Sequence, residues 1–224
     1  MKPRVLLLYY TFTNQTRRVS SAMAEVFREQ GWEAHECAIE FIDERYRIEF
    51  PFRPFWPKLM RWFLPQLRGK TGKIYVPEDI VTGEFDLICI GSPTWWLSPA
   101  MPVVSFLKSE SSRRLLEGKP FVVFTVCRAI WRNNLRIVKK LAQRQGGSFV
   151  DAAAFCFQGN QLQTALSFLC YMRTESNRDR YFGIKIYNFG IPEEGIEKAR
   201  SFARDLTKGK DERKGAVINL RCDD

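Results

Sequence analysis

Two short apolar runs, each followed at once by polar residues, dominate the pattern of this chain. Residues 5–10 form an apolar run that stops in a hydroxyl-rich segment at residues 11–16. Residues 86–90 form a second run, which stops in the sequence Gly-Ser-Pro-Thr-Trp-Trp at residues 91–96. A short continuous apolar run is typical of a strand that is buried on both faces of a sheet. We therefore predict two inner strands, each ending in a loop.

Helices are predicted between the strands by apolar residues spaced three or four positions apart. After residue 16 such a stripe is formed by Val19, Ala22, Met23, Val26 and Phe27, and Gly31 ends it. Further strands are predicted at residues 32–39, 119–126 and 148–157, and further helices begin near residues 99, 134 and 192. Strands that alternate with helices are typical of an α/β domain with a parallel sheet. Because the sequence has neither a repeat nor a linker, we expect one domain over residues 1–224.

The loop at residues 11–16 is a candidate phosphate site. Its hydroxyls belong to Thr11, Thr13 and Thr16, and Asn14 and Gln15 lie between them. The N–H groups at the start of a helix have no partner within the helix and favour an anion. The loop holds no lysine, which excludes the nucleotide P-loop with its Gly-Lys-Ser/Thr ending. A capping turn without a ligand is the alternative.

The loops at residues 11–16 and 91–96 both follow inner strands, so they meet at the carboxyl edge of the sheet, where open α/β sheets bind ligands. With these two motifs the chain resembles the flavodoxin-like family. The Thr-x-Thr-x-x-Thr sequence resembles that family's FMN phosphate loop, with Asn14 where many members have Gly. The Gly-Ser-Pro-Thr-Trp-Trp sequence resembles its first isoalloxazine loop. The resemblance covers roughly residues 3–157 and the last helix.

The resemblance implies a fold and a cofactor. The expected fold is α/β, a doubly wound five-stranded parallel sheet with strand order 2-1-3-4-5 and helices on both faces. The expected cofactor is FMN, and its expected binding residues are Thr11, Phe12, Thr13, Asn14, Gln15, Thr16, Ser92, Pro93, Thr94, Trp95, Trp96, Cys127, Arg128 and Trp131. One indole would stack on the ring, although a core plug under the next helix would also account for the two tryptophans. No catalytic side chain and no metal ligand is assigned.

A third loop, at residues 127–134, occupies the place of the family's second isoalloxazine loop. It holds two arginines, a cysteine and a tryptophan, which is an unusual composition there. Positive charge would favour the anionic reduced flavin and raise its potential, or it would hold an NADPH phosphate. Cys127 has no second cysteine nearby in the sequence, so we expect a buried, inert thiol rather than a redox partner. We expect Asn133 or Asn134 to cap the next helix.

Residues 41–80 depart from a minimal chain of this family. Residues 50–65 interleave aromatic residues, cations and prolines, and the prolines predict at most two helical turns, between residues 57 and 64. Three roles are open: a lid over the flavin edge, a membrane-surface contact through residues 50–68, or a packing or homodimer interface. We favour the lid and the interface, because so apolar a cluster is normally covered. Nucleic-acid binding is disfavoured, since no recognition motif accompanies these residues.

A second extra segment covers residues 158–182 and carries a helical stripe. It is similar to the insertion that interrupts the last strand of long-chain flavodoxins, which predicts that residues 184–189 are a further strand-like run. A peripheral helix is the alternative. The last helix is expected to end at Gly209, and residues 207–224 are expected to be a polar tail.

The net charge of +10 is concentrated in two stretches. Residues 45–73 hold eight Lys/Arg and one Glu, and residues 119–150 hold seven Lys/Arg and no acid. This balance indicates an anionic counterpart, such as a phospholipid surface, nucleic acid, an acidic protein or a phosphorylated cosubstrate like NADPH. A solvated basic face without a special partner is the alternative.

The sequence also predicts where the protein resides. No apolar stretch is long enough to span a bilayer, and residues 1–25 lack the plan of a signal peptide. The six cysteines form no CxxC pair and no metal-ligand spacing. We therefore expect a cytoplasmic protein with reduced thiols and no structural zinc, and any membrane association is expected through residues 50–68.

The resemblance implies an FMN-dependent NAD(P)H oxidoreductase that uses a small-molecule electron donor and reduces a quinone or a similar small-molecule acceptor. The extra segments favour this enzyme, because an enzyme needs a walled pocket. Two alternatives stay open: an electron carrier that docks on a protein partner, and an interaction protein of the same fold that holds no flavin. Fold alone does not decide among them.

Overall fold

The centre of the molecule is a parallel sheet, seen in a computed structural model that describes residues 2–46, 54–128 and 130–208. The strands are β1 (Arg4–Tyr9), β2 (Glu33–Ala38), β3 (Glu40–Phe41), β4 (Ile74–Tyr75), β5 (Leu87–Trp95), β6 (Ser98–Pro99), β7 (Pro120–Cys127), β8 (Ser148–Cys156), β9 (Arg180–Tyr181) and β10 (Ile184–Lys185). The helices are α1 (Gln15–Glu29), α2 (Phe55–Leu67), α3 (Glu78–Val81), α4 (Met101–Leu107), α5 (Glu110–Leu116), α6 (Arg132–Arg144), α7 (Gln161–Thr174) and α8 (Glu193–Thr207).

Five long strands pair in the order β2-β1-β5-β7-β8, and every pair is parallel. The short strand β6 folds back antiparallel on the end of β5. Counted along the chain, the long strands therefore have the order 2-1-3-4-5. This confirms the predicted α/β fold with a five-stranded parallel sheet.

The inner strands are apolar on both sides because each face of the sheet is covered by helices. One core cluster joins alternate residues of β1 and β5 to α1 and α8, with Phe27 and Phe202 fully buried. The other cluster joins the remaining residues to α4 and α6, with Phe106 and Val138 fully buried. Helices on both faces, as predicted, leave the carboxyl edge of the sheet open for a site.

Strand β5 continues through Trp95, so the prediction that it stops before a loop at residues 91–96 is wrong. This segment, the second loop, is mostly an extension of the strand, and Gly91 lies inside the strand. It lies between Tyr9 of β1 and Phe124 of β7 in the strand register. A Cβ atom at this position would lie 2.5 Å from Cβ of Tyr9 and would overlap the Phe124 ring. Only glycine therefore fits at this position of the strand, between the side chains of its two neighbours.

The prediction that prolines limit residues 57–64 to two helical turns is wrong. Helix α2 has 13 residues and contains both Pro57 and Pro65. Pro57 is the third residue of the helix, where its missing N–H removes no helical hydrogen bond. Pro65 removes one bond near the other end, and the helix ends two residues later at Leu67. Pro51 lies outside the described residues.

The last strand of the sheet is not interrupted. Strand β8 runs without a break over residues 148–156, and α7 follows it as a peripheral helix. Of the predicted run at residues 184–189, only β10 is extended, and it pairs with β9 in a separate hairpin. The comparison with an interrupted strand is therefore wrong, and the peripheral helix is the correct alternative.

Two predictions fall at the limits of the described residues. Helix α8 begins after Pro192 as expected and ends at Thr207, two residues before the predicted end at Gly209, whereas residues 209–224 of the predicted polar tail lie outside the described residues. Among the helices of the described ranges, none has the length and apolar character needed to cross a bilayer. The described part of the chain also holds no group of three or more side chains arranged to bind a metal ion.

Candidate functional site

A cavity of about 390 Å³ opens at the carboxyl edge of the sheet. Three segments form its floor and sides: the loop from β1 to α1, the end of β5 with Trp96 after it, and the end of β7. Helix α7 supplies the opposite wall, and Trp56 of α2 closes part of the rim. The site therefore lies where the order of the strands reverses, which is the expected place for a ligand in this type of sheet.

Most of the predicted binding residues meet at this cavity. Those that line it are Phe12, Thr13, Gln15, Thr16, Pro93, Thr94, Trp95, Trp96, Cys127 and Arg128. Four others are not part of the lining: Thr11, Asn14, Ser92 and Trp131. Trp56 comes from the insert for which a lid was one of the predicted roles. The wall is completed by residues that were not among the predicted binding residues: Val126, Phe157, Ala165, Phe168, Leu169, Met172 and Phe189.

The first loop presents an uncapped helix start. Helix α1 has no side-chain cap and no acidic residue in its first turn, and Arg17 and Arg18 follow there instead. Cations at this end of a helix are unfavourable unless an anion is near. Thr11 adds a buried hydroxyl oxygen that has no hydrogen-bond partner among the described residues. These features, with Thr13 and Thr16 in the wall, suit an anion such as a phosphate.

The missing glycine at Asn14 is explained by the backbone. Asn14 precedes α1 with a φ angle of 59°, in the left-handed region. Asparagine is one of the few residue types other than glycine that adopt this conformation readily. The replacement therefore leaves the shape of the loop unchanged.

Gln15 lies in the wall of the cavity, but its amide group is committed to the protein. Its Oε1 accepts a hydrogen bond from the N–H of Ile191 at 3.0 Å, and its Nε2 donates to the carbonyl of Thr13 at 3.4 Å. Gly190, with a φ angle of 130°, allows this approach, because a Cβ there would lie 2.5 Å from the Oε1 of Gln15. Gln15 thus joins the first loop to the segment before α8.

The two tryptophans of the second loop have different environments. The ring of Trp95 lies edge-on to Tyr10 at 5.3 Å and to Phe12 at 6.3 Å, on the inner side of the cavity. Trp96 is 44% exposed and lies 4.3 Å from the ring of Phe63 of α2. Both indoles line the cavity, so neither is only a core plug.

Asn133 and Asn134 do not cap α6, contrary to the prediction. The residue before the helix is Trp131, and no side-chain capping bond is present. Asn134 is fully buried, and its Nδ2 donates to the Oγ1 of Thr94 at 2.8 Å and to the carbonyl of Ser92 at 3.2 Å. Asn133 donates to the carbonyl of Leu97 at 2.7 Å. Their role is to hold the second loop, and the only sequence signal was the Asn-Asn pair itself.

At the third loop, Cys127 is buried in the wall, and burial raises the pKa of its thiol to about 12. This supports the expectation of an inert thiol. The register of β7 and β8 nevertheless places the sulfur of Cys156 at 3.4 Å, although 29 residues separate the two cysteines. The absence of a second cysteine nearby in sequence was therefore a poor guide to the fold. Trp131 stacks with the Arg132 guanidinium at 5.4 Å.

An aromatic cluster forms the wall opposite the sheet. The ring of Phe189 stacks on Tyr171 of α7 at 4.6 Å and meets Phe157 edge-on at 5.0 Å. Met172 and Phe168 of α7 pack against the same cluster. On the other side, Trp56 of α2 reaches the rim, which favours the lid interpretation of the insert over an unrelated interface.

Comparison with known proteins supports the fold. No protein-family model matches the sequence, and no curated protein matches it. The chain is similar to a flavoprotein in complex with FMN from Lactobacillus acidophilus NCFM (18% identity, TM-score 0.52, 68% of this chain and 93% of that one). It is also similar to a flavodoxin from the domain Archaea (8%, 0.51, 91% and 96%). A third similar structure is a putative flavoprotein from Bacteroides uniformis ATCC 8492 (17%, 0.53, 72% and 96%). The chain therefore has a flavodoxin-like fold.

Proposed function

We propose that this chain is an FMN-binding oxidoreductase that takes electrons from NAD(P)H and reduces a quinone or a similar acceptor. The observation that carries the proposal is the cavity at the carboxyl edge. It combines an uncapped, hydroxyl-rich helix start with two indole rings in one cavity.

The residues of this cavity fit FMN in three respects. The phosphate would be held by Thr13, Thr16 and the first N–H groups of α1. The ring would lie against Trp95 and Trp96, as flat aromatic groups do. The volume of about 390 Å³ is that of a small-molecule site, since such sites measure roughly 300–1,000 Å³.

The protein's own residues then supply binding, orientation and shielding, while bound FMN supplies the electron-transfer chemistry. Asn134 donates to the Oγ1 of Thr94, which leaves the hydroxyl hydrogen of Thr94 able to donate into the cavity. The aromatic wall at Phe168 and Phe189 keeps water away from one side. A walled cavity of this kind favours an enzyme over a carrier, because a carrier needs an open cofactor edge.

An electron carrier that docks on a protein is the second candidate. It is favoured by the exposure of two aromatic rings at the rim, since Trp56 is 67% exposed and Trp96 44%. Exposed aromatic residues beside cations are common at protein interfaces. The two candidates differ in one testable respect: only the enzyme would oxidise NAD(P)H with a small-molecule acceptor.

The FMN site is tested by titrating the apo protein with FMN. Thr13→Val and Thr16→Val should each weaken binding by about 1.5–3 kcal/mol, or about 10- to 150-fold, because each removes a hydrogen bond to a charged group. Thr82→Val is the matched control, since Thr82 is exposed at the end of α3. Unchanged affinity in both variants would show that the phosphate binds elsewhere.

The enzyme is tested by NADPH oxidation with a water-soluble quinone as acceptor. We expect turnover well above that of free FMN at the same concentration. A rate equal to that of free FMN, in a protein that binds FMN, would refute the enzyme and leave the carrier.

A further inference from the structure

Arg128 is the only charged side chain among the described residues that line the cavity. The others are aromatic, aliphatic or neutral polar groups. Arg128 follows directly on β7, so its position is set by an inner strand rather than by a free loop. One cation thus faces a largely apolar space.

The contacts of Arg128 leave its charge uncompensated. Its Nε lies 3.4 Å from the Oγ1 of Thr164, and its Nη2 lies 3.4 Å from the carbonyl of Gln161. Both acceptors are neutral, and both distances are at the long limit of a hydrogen bond. No described carboxylate lies within ion-pair distance of it, in contrast to Arg18, which approaches Glu193.

Partial burial makes this lack of a counterion significant. Desolvation lowers the pKa of Arg128, which shows that its surroundings disfavour the charged form. A guanidinium nevertheless stays protonated in proteins, so a bound anion would offset this unfavourable desolvation. Its planar fork suits a carboxylate or a phosphate, which accept two parallel hydrogen bonds.

Under the proposed function, the phosphate of FMN lies away from Arg128. In the proposed site that phosphate lies at the start of α1, after β1, whereas Arg128 follows β7. Strand β5 lies between them, which separates the two positions by two strand spacings, or about 10 Å. This separation favours a second anionic group, other than that phosphate, as the partner of Arg128.

We propose that Arg128 binds an anionic group of the substrate, and that the substrate is an aromatic or otherwise apolar compound that carries a carboxylate or a phosphate. This assignment rests on the proposed function, because it takes the cavity to be a substrate site. The aromatic wall formed by Phe157, Phe168 and Phe189 contacts the apolar body of the substrate, and Arg128 holds its charged end.

The proposal is tested by calorimetric titration with three small probes: 2-naphthoate, 2-naphthyl phosphate and the neutral 2-naphthol. The purified full-length protein is used with and without added FMN, and its FMN content is read from the absorption spectrum. We expect wild-type protein to bind at least one anion roughly ten- to hundredfold more tightly than 2-naphthol, from charge-assisted hydrogen bonds. The stronger of the two anions identifies the group. If the wild-type protein binds all three probes with equal affinity, that result alone overturns the proposal.

Two variants sharpen the test. Arg128→Gln should abolish the preference for the anion and leave 2-naphthol binding within about twofold. Arg132→Gln is the matched control, because Arg132 is exposed, lies over the Trp131 ring and does not line the cavity. An anion preference that survives in Arg128→Gln, or that is lost in Arg132→Gln, would contradict the assignment.

The two failures are distinguishable. If FMN is not taken up but Arg128→Gln still loses the anion preference, the flavin function fails and the anion site stands. If FMN binds but the wild-type protein shows no preference, the anion site fails and the flavin function stands.

Discussion

The two ends of the cavity are built in different ways. The phosphate end comes from one continuous piece of chain, in which β1, the loop at residues 11–16 and α1 follow each other. The cover comes from α7, the segment around Phe189 and the insert that carries α2, which are far apart in sequence. The first end depends on local backbone geometry, whereas the second depends on long-range contacts. We therefore expect the two ends to respond differently to mutation.

The largest effect is expected at the base of the insert that carries α2. Asp43 is 2% exposed and accepts hydrogen bonds from the Arg45 guanidinium at 2.6 and 2.9 Å and from the N–H of Lys73 at 2.9 Å. It thus ties together the two ends of the chain segment that contains α2. Asp43→Ala should destabilise this segment by about 3 kcal/mol, since charge-assisted bonds contribute about 1.5–3 kcal/mol each and Arg45 can be rehydrated. Hydrogen exchange of the amides at residues 55–67 measures the change.

The carboxylate of Asp43 also makes the stability of the segment that contains α2 depend on pH. The hydrogen bond from Arg45 lowers the pKa of Asp43 well below the unfolded value of about 3.9. Its stabilisation is therefore present above about pH 4 and is lost as the pH falls through the lower, folded pKa. The difference between wild type and Asp43→Ala should shrink below pH 4. Exposed Glu40→Gln is the control, and equal exchange in all three proteins would show that Asp43 does not hold the segment.

A smaller effect is expected where the two ends meet. Gly190→Ala should destabilise the fold by about 2 kcal/mol, because its φ of 130° is accessible mainly to glycine and because the new Cβ displaces Gln15 from Ile191. Gly183→Ala is the control, since Gly183 also has a positive φ but nothing within 4 Å of the added Cβ. Urea unfolding measures both.

A double-mutant cycle separates the two causes at Gly190. In a Gln15→Ala background, Gly190→Ala should cost only the backbone strain of its φ of 130°, because the Gln15 side chain no longer opposes the new Cβ. The difference between the two backgrounds is the contribution of the link between the phosphate loop and the cover. A difference of zero would show that Gln15 does not transmit strain between them.

The contrast between the two ends also explains what could be predicted from the sequence. The positions of the strands and of the first loop follow from periodicity and turn chemistry within about thirty residues, whereas the strand order was implied by the resemblance to the flavodoxin-like family and is confirmed by the strand pairing. The left-handed backbone conformation of Asn14 is likewise a feature of local geometry. By contrast, the approach of Cys156 to Cys127 depends on strand register, which no local pattern specifies.

The cover was harder for a second physical reason. The effect of Pro57 depends on whether it falls in the first turn of a helix, and therefore on where α2 begins, which the sequence did not indicate. The meeting of Phe189 with Tyr171 and Phe157 brings together three separate segments. Aromatic residues at such positions cannot be distinguished from ordinary core residues before the chain is folded.

The smallest effect is expected at the second loop, which shares features of both ends. Its sequence is local, but its shape is held by α6. Asn134→Ala removes the hydrogen bonds to Thr94 and Ser92 and should destabilise the protein by about 1 kcal/mol more than Asn133→Ala, whose bond to Leu97 is at the surface. Urea unfolding of the two variants gives the difference.

FMN titration of the same pair shows whether the loop acts on the site or only on stability. Thr94 lines the cavity, whereas Leu97 does not. Asn134→Ala should therefore weaken FMN binding several-fold, because Thr94 loses the partner that orients its hydroxyl, and Asn133→Ala should leave the affinity within about twofold. Equal weakening by both variants would mean that the rigidity of the whole loop, and not the direction of one hydroxyl, determines the affinity. In that case the second loop would depend on long-range support to the same degree as the cover.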